Sequence, residues 1–229
     1  MPAEGRLLGS PRTDALFFAL VPDASAASRM AEIGRELRLK HGLTGRPLAP
    51  EQLHMPLVGL GIHAGLPSGL VDLAMQAAAA ITMPSFDVVL DRVRSLAGLR
   101  RPLVLCGGEG VHGAAVMKLA IEIAMHEIGI GAAGRRRMPH VTVLDGWRGI
   151  EEEAVEPVRW TATEFVLLHG RRGGNESVVL GRWALGKRID RPGGFEEPAI
   201  AIGWCLSCDR TNAATFRINS PRSAVRSRW

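Results

Sequence analysis

Apolar positions along this chain fall into short strand-like runs separated by segments with helical spacing. Asp14 to Val21 is a buried strand in which nearly every position is apolar. Pro22-Asp23 breaks it, and Asp23 or Ser25 stands where a helix cap is needed. Ala27, Met30, Ile33, Leu37 and His41 then recur at three to four, with Arg29, Glu32, Arg35, Glu36 and Arg38 between them, so a helix runs to Gly42. Gly45, Pro47 and Pro50 form a loop into a strand over Leu53 to Ile62. Pro67 to Ala80 is a helix with one alanine-rich side, and Ser85 to Val93 is a strand.

The pattern then starts again. Leu99-Arg100-Arg101-Pro102 joins two halves, and Leu103 to Cys106 is a strand turned by Gly107-Gly108. Val111 to Ile128 is an amphipathic helix expected to point Val111, Ala115, Leu119, Ile123 and Met125 at the core. Gly129 to Gly134 turns the chain into a strand over Met138 to Leu144. Arg159 to Leu168 and Ser177 to Leu185 read as a closing hairpin with Gly173-Gly174-Asn175 as its turn.

Each half carries a histidine inside an apolar, strand-like run: His54-Met55-Pro56-Leu57 and His140-Val141-Thr142-Val143. Shifting the chain by the 86 positions between the histidines lays Leu16–Leu20 on Pro102–Cys106 and Ala24–His41 on Gly110–Glu127. Beyond that the register slips, and Phe86–Leu90 corresponds to Phe165–His169. We read a duplicated β-α-β unit, each copy presenting one histidine. One histidine in an apolar run is commonly a satisfied core residue. Two at matching places in two similar halves point to a shared task.

Residues i and i+2 of a strand share a face, so His140 lies beside Thr142 and His54 beside Pro56. If the halves pack around a cleft, two imidazoles face one bound group. Histidine titrates near neutrality and serves as acid or base. One ring then takes a proton from water while the other protonates a leaving oxygen, and the Thr142 hydroxyl donates to a phosphoryl oxygen. This is apparatus for cleaving or transferring a phosphodiester, with no metal or covalent intermediate required. The remaining histidines form no i, i+4 pair around a glutamate, and neither a P-loop nor G-x-S-x-G is present.

Composition changes the picture modestly. The chain has 229 residues, 46% of them hydrophobic, and a formal charge of +5. That balance leans toward anionic partners. Arg135-Arg136-Arg137 feeds directly into the second histidine strand, which makes Arg137 a candidate phosphate contact. Three cysteines, Cys106, Cys205 and Cys208, make no disulfide framework, and no apolar run has the ~20 residues of a membrane helix. A cytoplasmic protein without a membrane partner is expected. Cys205-Leu206-Ser207-Cys208 lacks the second pair that a zinc site needs. Residues 1–13 read as a loose leader and 186–229 as a basic extension, leaving 14–185 as the folded domain with lobes at about 14–98 and 99–185.

Residues 14–185 resemble the LigT-like 2'-5' RNA ligase family, also called RNA 2',3'-cyclic phosphodiesterases, of the two-histidine phosphoesterase superfamily. The resemblance rests on Leu16-Phe17-Phe18-Ala19-Leu20-Val21-Pro22, Leu53-His54-Met55-Pro56-Leu57 with Leu60-Gly61, and Arg101-Pro102-Leu103. It continues through Pro139-His140-Val141-Thr142-Val143 and from Trp160 to Phe165-Val166-Leu167. It implies a bilobal α+β fold, two antiparallel sheets flanking a cleft with helices outside. It also implies cofactor-free hydrolysis of 2',3'-cyclic phosphates on RNA ends or nucleotides and 2'-5' RNA joining; a monomer is expected. On this resemblance His54 is the acid, His140 the base, and Thr142 holds the phosphate. Three positions depart from the family pattern: Pro56 replaces a hydroxyl residue, Gly59 an aromatic, and Asp145 an arginine. These departures make a second function worth testing, a degenerate relative that binds RNA ends or nucleotides with little or no turnover. A third assigns the histidines to structure and the function to protein contacts of the extension.

Overall fold

The computed structural model describes residues 14–98, 100–131, 138–146, 148–171 and 177–187. The chain divides into units Met1–Asp190 and Arg191–Trp229, and every described residue belongs to the first. The leader, Arg135–Arg137, the 173–175 turn, Cys205, Cys208 and nearly all of the extension lie outside the described residues.

The first strand, β1 (Asp14–Leu20), sends Leu16, Phe18 and Leu20 into the main core. Its other face carries Phe17 and Ala19, which pack with Val166 and Leu168 in a separate small cluster. Burial on both faces explains why the run reads as almost continuously apolar. Asp23 caps α1 (Ala24–Lys40), its Oδ1 accepting from the Ala26 N–H at 2.8 Å. The helix buries Ala27, Met30, Ile33 and Leu37 as its spacing predicts. Gly42 turns the chain away at φ +58°, a conformation that costs glycine little.

A two-residue strand, β2 (Arg46–Pro47), and a 3₁₀ turn, Pro50–Gln52, lead into β3 (Met55–His63). After α2 (Ser68–Ala79), β4 (Phe86–Ser95) and β5 (Leu103–Cys106) comes α3 (His112–Glu127). Then follow β6 (His140–Asp145), β7 (Glu153–Ala162), β8 (Glu164–Arg171) and β9 (Ser177–Ala184). One sheet has the order β3-β1-β8-β9 and the other β2-β6-β5-β4-β7, and all pairs between these strands are antiparallel. The α+β architecture with two antiparallel sheets is the one anticipated.

Topology adds what periodicity leaves out. The trio β3-β1-β8 matches β6-β5-β4 strand for strand, so β4 and β8 are the equivalent third strands and each joins the other repeat's sheet. Neither segment, 14–98 or 99–185, owns a complete sheet. The run Arg159 to Leu168 is correspondingly two strands rather than one. Val158 and Trp160 pair with β4, whereas Phe165 to Leu168 pair with β9 and β1, the break falling at Thr163. No glycine or proline marks that change of sheet, and both pieces are apolar, so the sequence reads as one strand.

The core face of α3 also differs from the sequence expectation. Ala114, Met117, Ile121 and Met125 are buried, while Leu119 and Ile123 are 54% and 52% exposed. The helix is apolar nearly all round and offers two stripes of helical spacing. Packing against the sheet and α2 selects one of them. At the heart of the main core, the Phe18 and Phe165 rings lie 6.1 Å apart and Trp183 stacks on Phe165 at 5.2 Å.

Candidate active site

His54 stands one residue before β3, at the edge of the first sheet, and His140 opens β6 in the second. The residues around each alternate in burial. Leu53, Met55 and Leu57 are buried with His54 and Pro56 half-buried, and Val141 and Val143 are buried with His140 and Thr142 half-buried. Each histidine thus shares a face with the residue two places on, as the strand period predicts.

The two rings are anchored alike. His54 Nδ1 donates to the Gln52 carbonyl at 2.9 Å, and His140 Nδ1 donates to the Met138 carbonyl at 2.7 Å. A carbonyl oxygen only accepts, so the proton of each neutral ring sits on Nδ1 and the lone pair on Nε2. The same atom of each repeat is thereby presented for proton transfer. Burial holds the His54 pKa below the ordinary value of 6.5; its bond to the Gln52 carbonyl opposes this, and the charge of His140 adds to the lowering. The charge of one ring is thus felt at the other.

A strap between the sheets positions His54. Arg46 and Pro47 pair with Asp145 and Leu144 of β6, and the Leu48 N–H donates to the Val143 carbonyl at 3.0 Å. Gly45 makes the approach possible, because a Cβ there would collide with the Asp145 carbonyl oxygen. The strap then folds on Gln52, whose Oε1 accepts from the Ala49 N–H at 3.1 Å and from Arg46 Nη2 at 3.2 Å. The Gln52 carbonyl in turn accepts from His54 Nδ1. The first histidine, though it leads into the first sheet, is thus held by contacts to the second.

A cavity of about 380 Å³ adjoins His54. Leu48 and Leu168 give it apolar walls, Arg46 and Arg182 bring cationic heads, and Glu51 and Asp145 bring carboxylates. The Phe17 ring lies 5.1 Å from that of His54 at 32°. His140 and Thr142 are not part of this cavity's lining. Pro56 takes the place that Thr142 holds in the other repeat and faces Ala19 on β1. It adds no hydroxyl, and its edge strand is where a sheet tolerates a missing N–H. Arg137 lies outside the described residues.

Sequence reasoning missed Arg46, Gln52 and Arg182. Only Gly45-Arg46-Pro47, a small residue before a strand-forming pair, signals the strap, and nothing local points Arg182 at His54. Other histidines are occupied elsewhere: His41 lies 3.1 Å from Glu153, His63 bonds the Leu60 carbonyl at 3.1 Å, and His169 lies 3.3 Å from Asp14. Among the described residues, no group of three or more His, Cys, Asp or Glu side chains is placed to hold a metal ion, and no helix is long and apolar enough to cross a membrane.

Solved structures similar to this chain carry the same arrangement of elements. E. coli LigT complexed with 3'-AMP aligns at 24% identity with a TM-score of 0.58, covering 76% of this chain and 98% of that one. A phosphoesterase aligns at 22% identity and 0.59, covering 76% and 99%. The fold of this chain is the LigT-like phosphoesterase fold. The Thermus thermophilus protein TT0787 shares it at 17% identity and a TM-score of 0.60, over 76% of this chain and all of that one, 100%. No protein-family model matches the chain, and no curated protein matches it in sequence.

Proposed function

We propose that this LigT-like chain is a member of the two-histidine phosphoesterase superfamily that opens a 2',3'-cyclic phosphate by acid–base catalysis between His54 and His140. The observation that carries this is the matched pair of rings, each with Nδ1 tied to the carbonyl two residues back and near enough that the charge of His140 bears on His54. Water attacks phosphorus and loses a proton to one Nε2. The bond from phosphorus to O3' breaks, and the other ring gives its proton to O3'. A 2'-phosphate and a 3'-hydroxyl result, with no redox change. With a 5'-hydroxyl attacking in place of water, the same step leaves a 2'-5' linkage and a free 3'-hydroxyl, and so joins RNA ends. Thr142 holds a phosphoryl oxygen, and the cavity beside His54 receives the nucleoside. Complexes of E. coli LigT with 3'-AMP, ATP and NADP+ fit a nucleotide ligand of this kind.

Burial disfavours the His54 cation, which suits His54 to start as the neutral ring. His54 then starts as base and His140 as acid, the reverse of the order that the resemblance implies. A 3'-thio cyclic phosphate separates the two orders, because a sulfur leaving group departs without a proton. It is expected to rescue His140→Ala and not His54→Ala. The opposite pattern of rescue would restore the resemblance's order.

Pro56 and Asp145 favour the second reading, binding with little turnover. One lost hydroxyl donor lowers the rate by about 10²–10³, and Asp145 sets a carboxylate in the cavity. The assay uses 2',3'-cyclic nucleotides and RNA ending in a cyclic phosphate, with EDTA present. Turnover that disappears in a His54→Ala/His140→Ala double variant supports the enzyme. Saturable binding with wild-type turnover equal to the double variant's supports the binder, and Pro56→Thr is then expected to raise the rate.

A further inference from the structure

Across the second sheet, β6 pairs with β5 and β5 with β4. His140 is opposite Cys106, which is opposite Arg92; Thr142 is opposite Val104, which is opposite Arg94. Directly paired residues of an antiparallel ladder project from the same face. Two parallel rows therefore run from the second histidine motif to a pair of arginines. Two strand spacings separate the ends of each row, about 10 Å between Cα atoms.

The residues between the ends of the rows are apolar and covered. Val104 is fully buried and Cys106 is 8% exposed, yet neither belongs to a hydrophobic core cluster. They sit on the face away from Leu103 and Leu105, which do belong to the main core. Arg92 and Arg94, at the far ends of the rows, have side chains 53% and 44% exposed. Both lean on Glu152, Arg92 Nη1 at 3.2 Å and Arg94 Nη1 at 4.0 Å, and Arg92 Nε lies 3.8 Å from Asp91. Exposed ion pairs of this kind are worth about 0–1 kcal/mol. A phosphate, which accepts two parallel N–H bonds from a guanidinium, displaces such a carboxylate at little cost.

We propose that Arg92 and Arg94 form a second phosphate subsite, which holds the backbone of a single-stranded RNA whose terminal phosphate lies at His140 and Thr142. The preferred substrate is then the end of an RNA chain rather than a free cyclic nucleotide. A chain leaving the reacting phosphate along the two rows meets the arginines within roughly two nucleotides. This assignment rests on the reading of His54 and His140 as the reacting pair.

The test uses the whole chain, a labelled oligoribonucleotide ending in a 2'-phosphate, the same oligonucleotide ending in a 3'-hydroxyl, and 2'-AMP. The Arg92→Ala/Arg94→Ala double variant is expected to weaken both oligonucleotides by about ten-fold and to reduce the salt slope of log K by about 0.7 for each phosphate no longer neutralised. Binding of 2'-AMP stays unchanged. Glu152→Gln is expected to tighten oligonucleotide binding about threefold, since a competing charge is gone. Arg92→Lys/Arg94→Lys keeps the charge and is expected to retain most of the affinity. Equal affinity for the oligonucleotide in wild type and double alanine variant, or an unchanged salt slope, would overturn the subsite. The subsite and the catalytic reading fail separately. Oligonucleotide binding that depends on the arginines without any turnover of cyclic phosphates sinks catalysis alone. Equal turnover of cyclic RNA ends by wild type and double variant at limiting substrate sinks the subsite alone.

Discussion

The two histidine motifs share an anchor and differ in almost everything around it. Each ring donates Nδ1–H to the carbonyl two residues back. The bond is partly buried at His54 and exposed at His140. His54 borders a cavity, lies beside the Phe17 ring and has Pro56 two residues on. His140 opens a strand with Thr142 beside it and a row leading to Arg92. The repeat preserves the local device that orients a ring. The surroundings differ, and in the proposed mechanism that difference makes one ring the base and the other the acid.

Substitutions can put this contrast to the test. The largest effect is expected from the rings themselves: His54→Ala or His140→Ala lowers the rate of cyclic-phosphate hydrolysis by about 10²–10⁴. The double variant falls little further, because paired groups act as a unit. A steady-state assay of the three variants checks this, and additive losses would contradict it. Thr142→Val removes the hydroxyl that the first motif lacks, for an expected loss of about 10²–10³ in kcat, read against unchanged thermal stability.

Gly45→Ala loosens the strap that holds His54. The new Cβ pushes the strap off Asp145, with an expected destabilisation of about 1–3 kcal/mol by denaturant titration. The NMR titration of His54 is expected to move toward the ordinary histidine value. An unchanged His54 titration would mean that the strap does not set its surroundings.

The smallest effect is on pH dependence. The His54 pKa is lowered, so the cation forms less readily in the folded than in the unfolded chain. Its contribution to stability is present above the ordinary value of 6.5 and is lost as pH falls from there through the lower folded value. The acid limb of kcat/KM against pH is likewise expected below 6.5 if His54 is the base. His54→Ala is expected to flatten the stability change over that window. A limb above 6.5 would assign the base elsewhere.

Local chemistry made much of the molecule legible in the sequence. The β1 run, the Asp23 cap, the inner stripe of α1 and the glycine that closes it depend on nearest neighbours, and spacing alone locates them. The repeat and the shared face of His140 and Thr142 follow from the strand period in the same way. Other features needed tertiary contact. The inner face of α3 was chosen between two apolar stripes by what packs on it, and the division of Arg159–Leu168 at Thr163 by pairing with different sheets. The exchange of β4 and β8, the strap that carries His54 to β6, and the row from His140 to Arg92 join residues far apart in the chain. Periodicity reports only which side of its own element a residue occupies, whereas the partner on that side is set by long-range packing, which no local window contains.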